Sequence, residues 1–286
     1  MGHSSDLTRS GSDRSDALLY YSQSRFFLNS SGTSTNVSVH HVAEFEHASK
    51  RYALDAWGKR SVLALDGVSL RIEAGQVFGL LGPNRAGKTT LVKLLLSLCK
   101  PTGGRIERLG KPASDRSTLS SIGYMHENQA FPRYLTAPAL LQYYAALAHV
   151  PDVEVRRRVP ELLERVGLAD RGQEPISGFS KGMVQRLALA QALVNDPELL
   201  VFDEPAEGLD LSGRRLLQEV IQGHRRRGRS VLLVSHVIPE VERLCDRVGV
   251  VVNGRLAHVG PVSALTRSGS RPLDQALQAI YENAAS

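Results

Sequence analysis

The chain has 286 residues, which is enough to bury a sizeable core in one or two domains. Apolar residues make up 42% and charged residues 22%, as in ordinary globular proteins, and no apolar run approaches the ~20 residues of a membrane-spanning helix. The chain is therefore not expected to cross a bilayer by itself, and its net charge of +6 identifies no partner.

The first part of the chain, residues 1–41, is rich in Ser, Asp, Arg and Asn. This composition predicts a disordered or loosely docked extension. The first six residues contain no apolar core, so no secretory signal is expected and the chain is predicted to be cytoplasmic. The cysteines Cys99 and Cys245 lie far apart, which favours two buried thiols in a reducing compartment over a disulfide or a zinc site.

A strand, a glycine loop and a helix follow one another in the next part of the chain. Residues 61–72 predict a pair of strands, and residues 76–81 predict a short buried strand that leads directly into Gly82. Leucines at helical spacing then predict a helix over residues 89–98. This order of elements is the beginning of an α/β unit.

The rest of the chain predicts an inserted helical region and a return of the α/β pattern. Residues 131–171 are punctuated by prolines and predict helices at 140–148 and 153–166. Alternating strands and helices are then predicted over residues 199–202, 212–226, 230–235 and 239–247. Asn253-Gly254 lies between two apolar runs and indicates a tight hairpin, and one short helix is expected near residues 273–281.

The loop after the first buried strand has the residues that bind phosphate. Gly-Pro-Asn-Arg-Ala-Gly-Lys-Thr fits the pattern G-x-x-x-x-G-K-[ST], in which backbone N–H groups and a helix N-terminus surround the β-phosphate. Lys88 would neutralise the β- and γ-phosphates, and the Thr89 hydroxyl would ligate Mg²⁺. The alternative is a Gly-Pro turn that caps an ordinary helix. The loop predicts ATP or GTP binding by Gly82, Pro83, Asn84, Arg85, Ala86, Gly87, Lys88, Thr89 and Thr90.

Two acids end the strand at residues 199–202. Strands beside a phosphate loop deliver their last residues to the phosphate edge of the sheet. Asp203 would hold Mg²⁺ through water, and Glu204 would act as the general base for the attacking water. His236, after the next strand, would contact the γ-phosphate and orient that water. Each feature alone is also typical of a turn or helix cap, but together they predict a hydrolysis site.

A cluster of basic residues comes from Arg225, Arg226, Arg227 and Arg229. Such a cluster can bind nucleic acid, or it can be the solvated C-terminal end of a helix, where cations are favoured. We favour the helix end, because a strand follows at once. No nucleic-acid partner is therefore expected.

The segment Phe179-Ser180-Lys181-Gly182-Met183, followed by Gln185-Arg186, resembles the signature of the ATP-binding cassettes of ABC transporters. The resemblance covers about residues 42–265 and implies an α/β fold: a P-loop NTPase core, mostly parallel, with an antiparallel β subdomain and a helical subdomain at about 131–185. Residues 266–286 would be a helical tail. The resemblance also implies contacts to ATP held by the other subunit, made by Ser180, Lys181, Gly182 and Met183. Lys181 and Met183 replace the commonest residues, as in exporter-like members.

Other positions match the family as well. Asp203-Glu204-Pro205 with Gly208-Leu209-Asp210 resembles the carboxylate strand and dimer-contact loop, and His236 resembles the switch histidine. By the same resemblance, Tyr52 would stack on adenine, with Trp57 or plain core packing as alternatives. Glu127 stands where the family has a glutamine that senses Mg²⁺. Arg85 stands where the family usually has a glycine, and it would be strained if that position needs φ > 0. Glu207 stands where a small or hydroxyl residue is common.

The resemblance implies an ATPase subunit that dimerises on Mg-ATP with a like or unlike cassette. It would drive a separate transmembrane permease, docked near residues 131–144 at the inner face of the membrane, for export. The alternatives are a soluble ABC ATPase acting on DNA or ribosomes, a regulatory subunit with impaired hydrolysis, and a P-loop kinase or GTPase. No coiled-coil insertion, second cassette or guanine motif supports the first or last of these.

Overall fold

A computed structural model describes residues 26–28, 34–36, 41–55, 60–267 and 269–285. The chain divides into two compact units, at residues 1–38 and 39–286. In the first unit, β1 (Phe26–Leu28) pairs antiparallel with β2 (Ser34–Asn36). The rest of the predicted extension, and Trp57, lie outside the described residues.

The first sheet of the second unit is antiparallel and has the strand order β4-β3-β6-β7. Its strands are β3 (His41–Ala53), β4 (Ser61–Glu73), β6 (Gly103–Arg108) and β7 (Lys111–Pro112). The prediction of a strand pair within residues 61–72 is wrong, because these residues form one strand. Asp66-Gly67 has the composition of a hairpin turn, but Gly67 (φ 61°) lies at an irregularity in the pairing with β3.

The second sheet is mostly parallel and has the order β12-β11-β5-β10-β9-β8. Its strands are β5 (Val77–Leu81), β8 (Ile122–Met125), β9 (Leu199–Asp203), β10 (Ser230–Val234), β11 (Arg247–Val252) and β12 (Arg255–Pro261). Only β12 runs antiparallel to its neighbour, through the predicted hairpin at Asn253-Gly254. The predicted α/β fold with a mostly parallel core sheet is confirmed.

Helices surround this sheet. The described helices are α1 (Lys88–Leu95), α2 (Ala137–Leu147), α3 (Asp152–Arg165), α4 (Lys181–Leu193), α5 (Leu211–Arg226), α6 (Ile238–Leu244), α7 (Val262–Leu265) and α8 (Leu273–Ala285). Of these, α2, α3 and α4 form the inserted helical region. The helix predicted over 239–247 ends early, because Cys245 is extended and Arg247 begins β11. The predicted helix near residues 273–281 is α8, and α7, which was not predicted, precedes the tail. Within the described residues, no helix is long and apolar enough to cross a membrane.

The core sheet is buried on both faces. Alternate residues of β5 point into different apolar clusters: Val77 and Leu81 pack with the helical region, whereas Phe78 and Leu80 pack with α1 and the antiparallel sheet. Every residue of β5, β9 and β10 is buried, which explains the apolar runs at residues 77–81, 199–202 and 231–234. This packing fixes the carboxyl ends of the three strands at one edge.

The end of α1 is held by a fully buried arginine of β6. Arg108 donates from Nε to Thr118 Oγ1 (2.7 Å) and from Nη2 to the carbonyl oxygens of Asp115 (2.9 Å) and Ala113 (3.1 Å). It also donates to the last carbonyl of α1, at Leu95. The fully buried guanidinium thus pairs the last carbonyl of α1 with the carbonyls of the loop after β7, of which the Leu95 and Ala113 contacts are buried.

We expect Arg108→Ala to lower the free energy of unfolding by roughly 3–5 kcal/mol, since it strands several buried carbonyls. Urea denaturation measures this change. The matched control is Arg105→Ala on the same strand, whose side chain is 65% exposed and whose loss should cost less than about 1 kcal/mol. Equal effects of the two substitutions would contradict the structural role of Arg108.

Candidate functional site

The predicted phosphate loop connects β5 to α1, and its two glycines are required by close contacts. A Cβ on Gly82 would lie 2.1 Å from the Val251 carbonyl oxygen, and one on Gly87 (φ 113°) would lie 2.7 Å from that of Ala64. The loop is therefore wrapped tightly against β4 and β11. Lys88 Nζ donates to the carbonyl oxygens of Gly82 (2.7 Å) and Pro83 (3.1 Å), which folds its side chain back along the loop.

The first turn of α1 is suited to an anion. Its N-terminus has no side-chain cap and no acidic residue in the first turn, so no side chain of the helix itself neutralises its positive end. The Lys88 side chain is largely buried, and this burial lowers the pKa of its ammonium, while the nearby Glu204 and Asp203 oppose the shift. A cation, free N–H groups and a glycine cradle fit a phosphate chain.

Asp203 is the last residue of β9 and is only 3% exposed. Burial raises the pKa of its carboxyl, the proximity of His126 lowers it, and Glu204 and Glu127 raise it further. These acids therefore share one electrostatic environment with Lys88. Carboxylates grouped in this way provide the hard oxygen donors that Mg²⁺ prefers. The exposed Thr89 hydroxyl lies on the first turn of α1.

Glu204 and His236 are joined directly. Glu204 Oε2 accepts a hydrogen bond from the His236 backbone N–H (3.1 Å) and lies 2.7 Å from His236 Nδ1. Glu204 has a positive φ of 52°, and its own N–H donates to the Val234 carbonyl at the end of β10 (2.9 Å). Two neighbouring strand ends thus orient one carboxylate, which is the arrangement expected of a positioned general base.

Arg85 has a left-handed backbone, with φ 64°. A side chain in this conformation is strained, as the departure from glycine at this position suggested. We expect Arg85→Gly to raise the free energy of unfolding by about 0.5–1 kcal/mol, because relief of strain exceeds the added entropy of the unfolded chain.

The matched control for Arg85 is Asn253→Gly, at φ 50° in the hairpin turn. Asparagine tolerates this conformation better than arginine does, so a smaller gain is expected there. Urea denaturation of both variants tests the difference. A loss of stability in Arg85→Gly would show that the arginine side chain makes compensating contacts.

Tyr52, the predicted adenine contact, lies at the end of β3 and is half-buried. Its hydroxyl is 3.6 Å from Cys99 Sγ and it also hydrogen-bonds to Thr90, two residues beyond Lys88. Lys50 Nζ lies 5.0 Å from its ring centroid. The ring therefore borders the loop. Cys99 is half-buried rather than buried, contrary to the prediction, because α1 ends before it; Cys245 is buried.

Ser180 is exposed and caps α4, where its Oγ accepts from the Met183 backbone N–H (3.3 Å). Lys181 is exposed, whereas Gly182 and Met183 are partly buried. The following Gln185 is 3% exposed, and its amide donates to the Glu127 carbonyl (3.0 Å). Gln185 thus ties the predicted signature to the segment after β8. Its position in the signature was noted from the sequence, but this contact was not predicted.

The arginine cluster at the end of α5 is largely paired with acids. Arg227 and Arg229 both contact Asp196, and Arg225 Nη2 lies 2.5 Å from Asp246 Oδ1. Arg225 and Arg226 are the last residues of α5, as predicted for a helix end. These contacts account for most of the cluster within the fold.

Known proteins resemble this chain in sequence and in fold. The family model described as "ABC transporter" matches residues 65–207. An uncharacterised ABC transporter ATP-binding protein of Nostoc sp. is 43% identical over 77% of this chain, which spans about two thirds (66%) of that relative's length. A Nod factor export ATP-binding protein I of Paraburkholderia xenovorans is 37% identical over 79% of this chain and 72% of its own.

Among solved structures, an ATP-binding subunit of an ABC transporter superposes with a TM-score of 0.75. It is 27% identical and covers 84% of this chain and 99% of its own. The fold predicted from the phosphate loop and the signature segment is therefore confirmed. The family match, the sequence identity to ATP-binding proteins and the shared fold all lead to one assignment. The chain belongs to the ABC transporter family, among its ATP-binding proteins.

Proposed function

We propose that this chain is the ATP-binding and ATP-hydrolysing subunit of an ABC transporter. The observation that carries the proposal is the meeting of Lys88, Asp203 and the Glu204–His236 pair at one edge of the core sheet. Cation, metal-binding acid and oriented base are the groups that phosphoryl transfer to water requires.

The residues divide the chemistry among them. The loop N–H groups and Lys88 bind the β- and γ-phosphates, and Tyr52 borders the adenine. Glu204 accepts the proton of the attacking water, while His236 holds its carboxylate in place. Thr89 and Asp203, with Glu127 beside Asp203, would hold Mg²⁺, which when bound supplies charge neutralisation at the phosphate oxygens.

A second cassette, identical or different, would complete each site. The start of α4 presents the exposed Ser180 hydroxyl and helix N-terminus outward. Two chains arranged head-to-tail would place this turn against the γ-phosphate on the partner's loop. Because the turn is an anion site by its own chemistry, ATP would hold the two chains together.

Dimeric catalysis makes a concentration-dependent prediction. If active sites form between two chains, the Mg-ATPase activity per chain should rise with protein concentration until dimers saturate. Steady-state phosphate release at fixed ATP, over a wide range of protein concentration, measures this rise. Activity per chain that stays constant down to concentrations at which sedimentation shows monomers would refute a shared site.

We further propose that the chain drives a separate permease at the cytoplasmic membrane face, for export. A relative named for Nod factor export supports the direction. Tyr143 and Leu147 of α2 are exposed, and Leu147 lines a cleft of about 350 Å³ between α2 and residues 116–122. An exposed apolar rim beside a cleft suits a docked helix of a partner chain.

The docking surface is testable by co-expression with a multi-span membrane protein, if one is encoded beside this gene. Tyr143→Asp and Leu147→Asp should each abolish co-purification and leave basal ATPase unchanged. Val153→Asp is the control, since Val153 is even more exposed than Tyr143 and Leu147 but lies on α3. Retained co-purification of both α2 variants would rule out this surface.

A further inference from the structure

The start of α4 is attached to the loop after β9 by an ion pair. Lys181 Nζ lies 3.1 Å from Glu207 Oε1. On its way there, the lysine side chain crosses Gly208, where a Cβ would lie 2.7 Å from Lys181 Cε and where φ is +77°. The glycine therefore makes room for the lysine. Two departures from the usual family residues, Lys181 and Glu207, are thus partners of one another.

Several ionisable groups lie around Glu207, and Lys181 is the one whose hydrogen bond affects it most. The hydrogen bond from Lys181 holds the pKa of the Glu207 carboxyl below its usual range, and Glu127 and His236 also lie within reach. Lys181 is the one ammonium group among these neighbours in the described part of the chain. Without Lys181, the Glu207 carboxyl would lose its largest stabilising partner, and only the hydrogen bond with Glu127 and the proximity of His236 would still lower its pKa.

An exposed ion pair contributes little to folding, so stability does not explain this pairing. The side chains of Lys181 and Glu207 are 63% and 41% exposed. Lys181, however, follows Ser180 directly, on the turn that the proposed function places against the partner's ATP. Charges at such a surface act chiefly on association.

We propose that Glu207 opposes ATP-driven closure of two cassettes and that Lys181 cancels this opposition, so that the pair sets the ATP-dependent dimer affinity. The inference rests on the proposed head-to-tail dimer. A carboxylate facing the triphosphate of the partner repels it, and an ammonium facing it attracts it. Lys181 and Glu207 are positioning residues here, since they act through the charge of the closing surface.

This arrangement gives the two single variants opposite effects. Lys181→Ala exposes the Glu207 carboxylate and should weaken the ATP-bound dimer by roughly tenfold. Glu207→Ala frees the ammonium and should tighten the dimer by a similar factor. The double variant should return close to the parent, and Lys181→Arg should behave like the parent. If the pair only held α4 in place, both single variants would weaken the dimer.

The experiment measures the dimer dissociation constant by sedimentation with Mg-ATP, in a Glu204→Gln parent that does not turn over. Arg171→Ala and Glu174→Ala are matched controls, because they break an exposed ion pair of similar length (3.0 Å) away from the loop after β9. The opposite shifts should shrink when salt rises from about 0.05 to 0.5 M. ATP binding to the separate chains, measured for every variant, distinguishes an effect on the dimer from an effect on the chain's own site, because Glu207 lies close to Glu127 and His236.

The possible outcomes distinguish a failure of this inference from a failure of the proposed function. Opposite shifts of the two single variants, with the double variant restored, would support the inference. Shifts in the same direction, or shifts no larger than those of the Arg171 and Glu174 controls, would overturn it and leave the dimer intact. Failure of the Glu204→Gln parent to dimerise on ATP would overturn the proposed function and the inference together.

Discussion

Glu204→Gln is expected to lower kcat of ATP hydrolysis by roughly 10²–10⁴-fold while ATP binding stays intact. The amide cannot accept a proton as the carboxylate does, but its oxygen can still accept the hydrogen bond from the His236 backbone N–H. Geometry is thus kept and basicity is lost. Since hydrolysis would reopen the dimer, the ATP-bound dimer should accumulate, which sedimentation with Mg-ATP detects.

The control for this variant is Glu161→Gln, an exposed acid on α3 that pairs with Arg157. It should hydrolyse ATP at the parent rate and form no additional dimer. Steady-state ATPase that is unchanged in Glu204→Gln would remove Glu204 from the role of general base.

Lys88→Met is expected to weaken ATP binding by roughly 10–100-fold, because a charge-assisted contact to the phosphates disappears. The same substitution should lower kcat by about 10²–10³-fold, as loss of one preorganised donor does. Burial lowers the pKa of Lys88, so the nucleotide-free chain bears a desolvation cost that methionine does not. The loss of its hydrogen bonds to the Gly82 and Pro83 carbonyls opposes this gain, so the melting temperature of the nucleotide-free chain should change little.

A large loss of ATP binding with little change in stability distinguishes a ligand-binding lysine from a structural one. Lys93→Met, on the same helix with an exposed side chain, should alter neither quantity. Isothermal titration and thermal melts provide both measurements. A Lys88→Met chain that melts lower and still binds ATP at the parent affinity would contradict the assignment.

Local sequence patterns were sufficient for the elements that form the phosphate edge. The run Val77–Leu81, the Gly82 and Gly87 spacing and the apolar strand before Asp203 each carry a local signal, and the fold places them together. The strain at Arg85 could also be predicted, since it follows from a position that needs positive φ. These predictions succeed because each depends on neighbours in the chain.

Contacts between distant segments could not be predicted in this way. Lys181 and Glu207 are 26 residues apart, and their pairing depends on how α4 packs beside the loop after β9. Arg108 looks like an exposed strand residue until the carbonyls around it are known. Asp66-Gly67 has the composition of a turn, and only pairing with β3 along the whole of β4 shows that the chain continues straight.

The central claim is that each ATP lies between the loop of one chain and the Ser180 turn of another. It can be tested by mixing two inactive variants, Lys88→Met and Gly182→Asp. Gly182 has room for a side chain, since a Cβ there would lie 3.5 Å from its nearest neighbour, the Gly208 carbonyl oxygen. The new carboxylate would repel the γ-phosphate without disturbing its own chain.

Each variant alone should hydrolyse almost no ATP. In mixed dimers, the intact loop of the Gly182→Asp chain meets the intact turn of the Lys88→Met chain. Random pairing of equal amounts restores about one quarter of the sites, and ATPase should return in that proportion. Activity of the mixture that never exceeds the sum of the separate variants would contradict a site built from two chains.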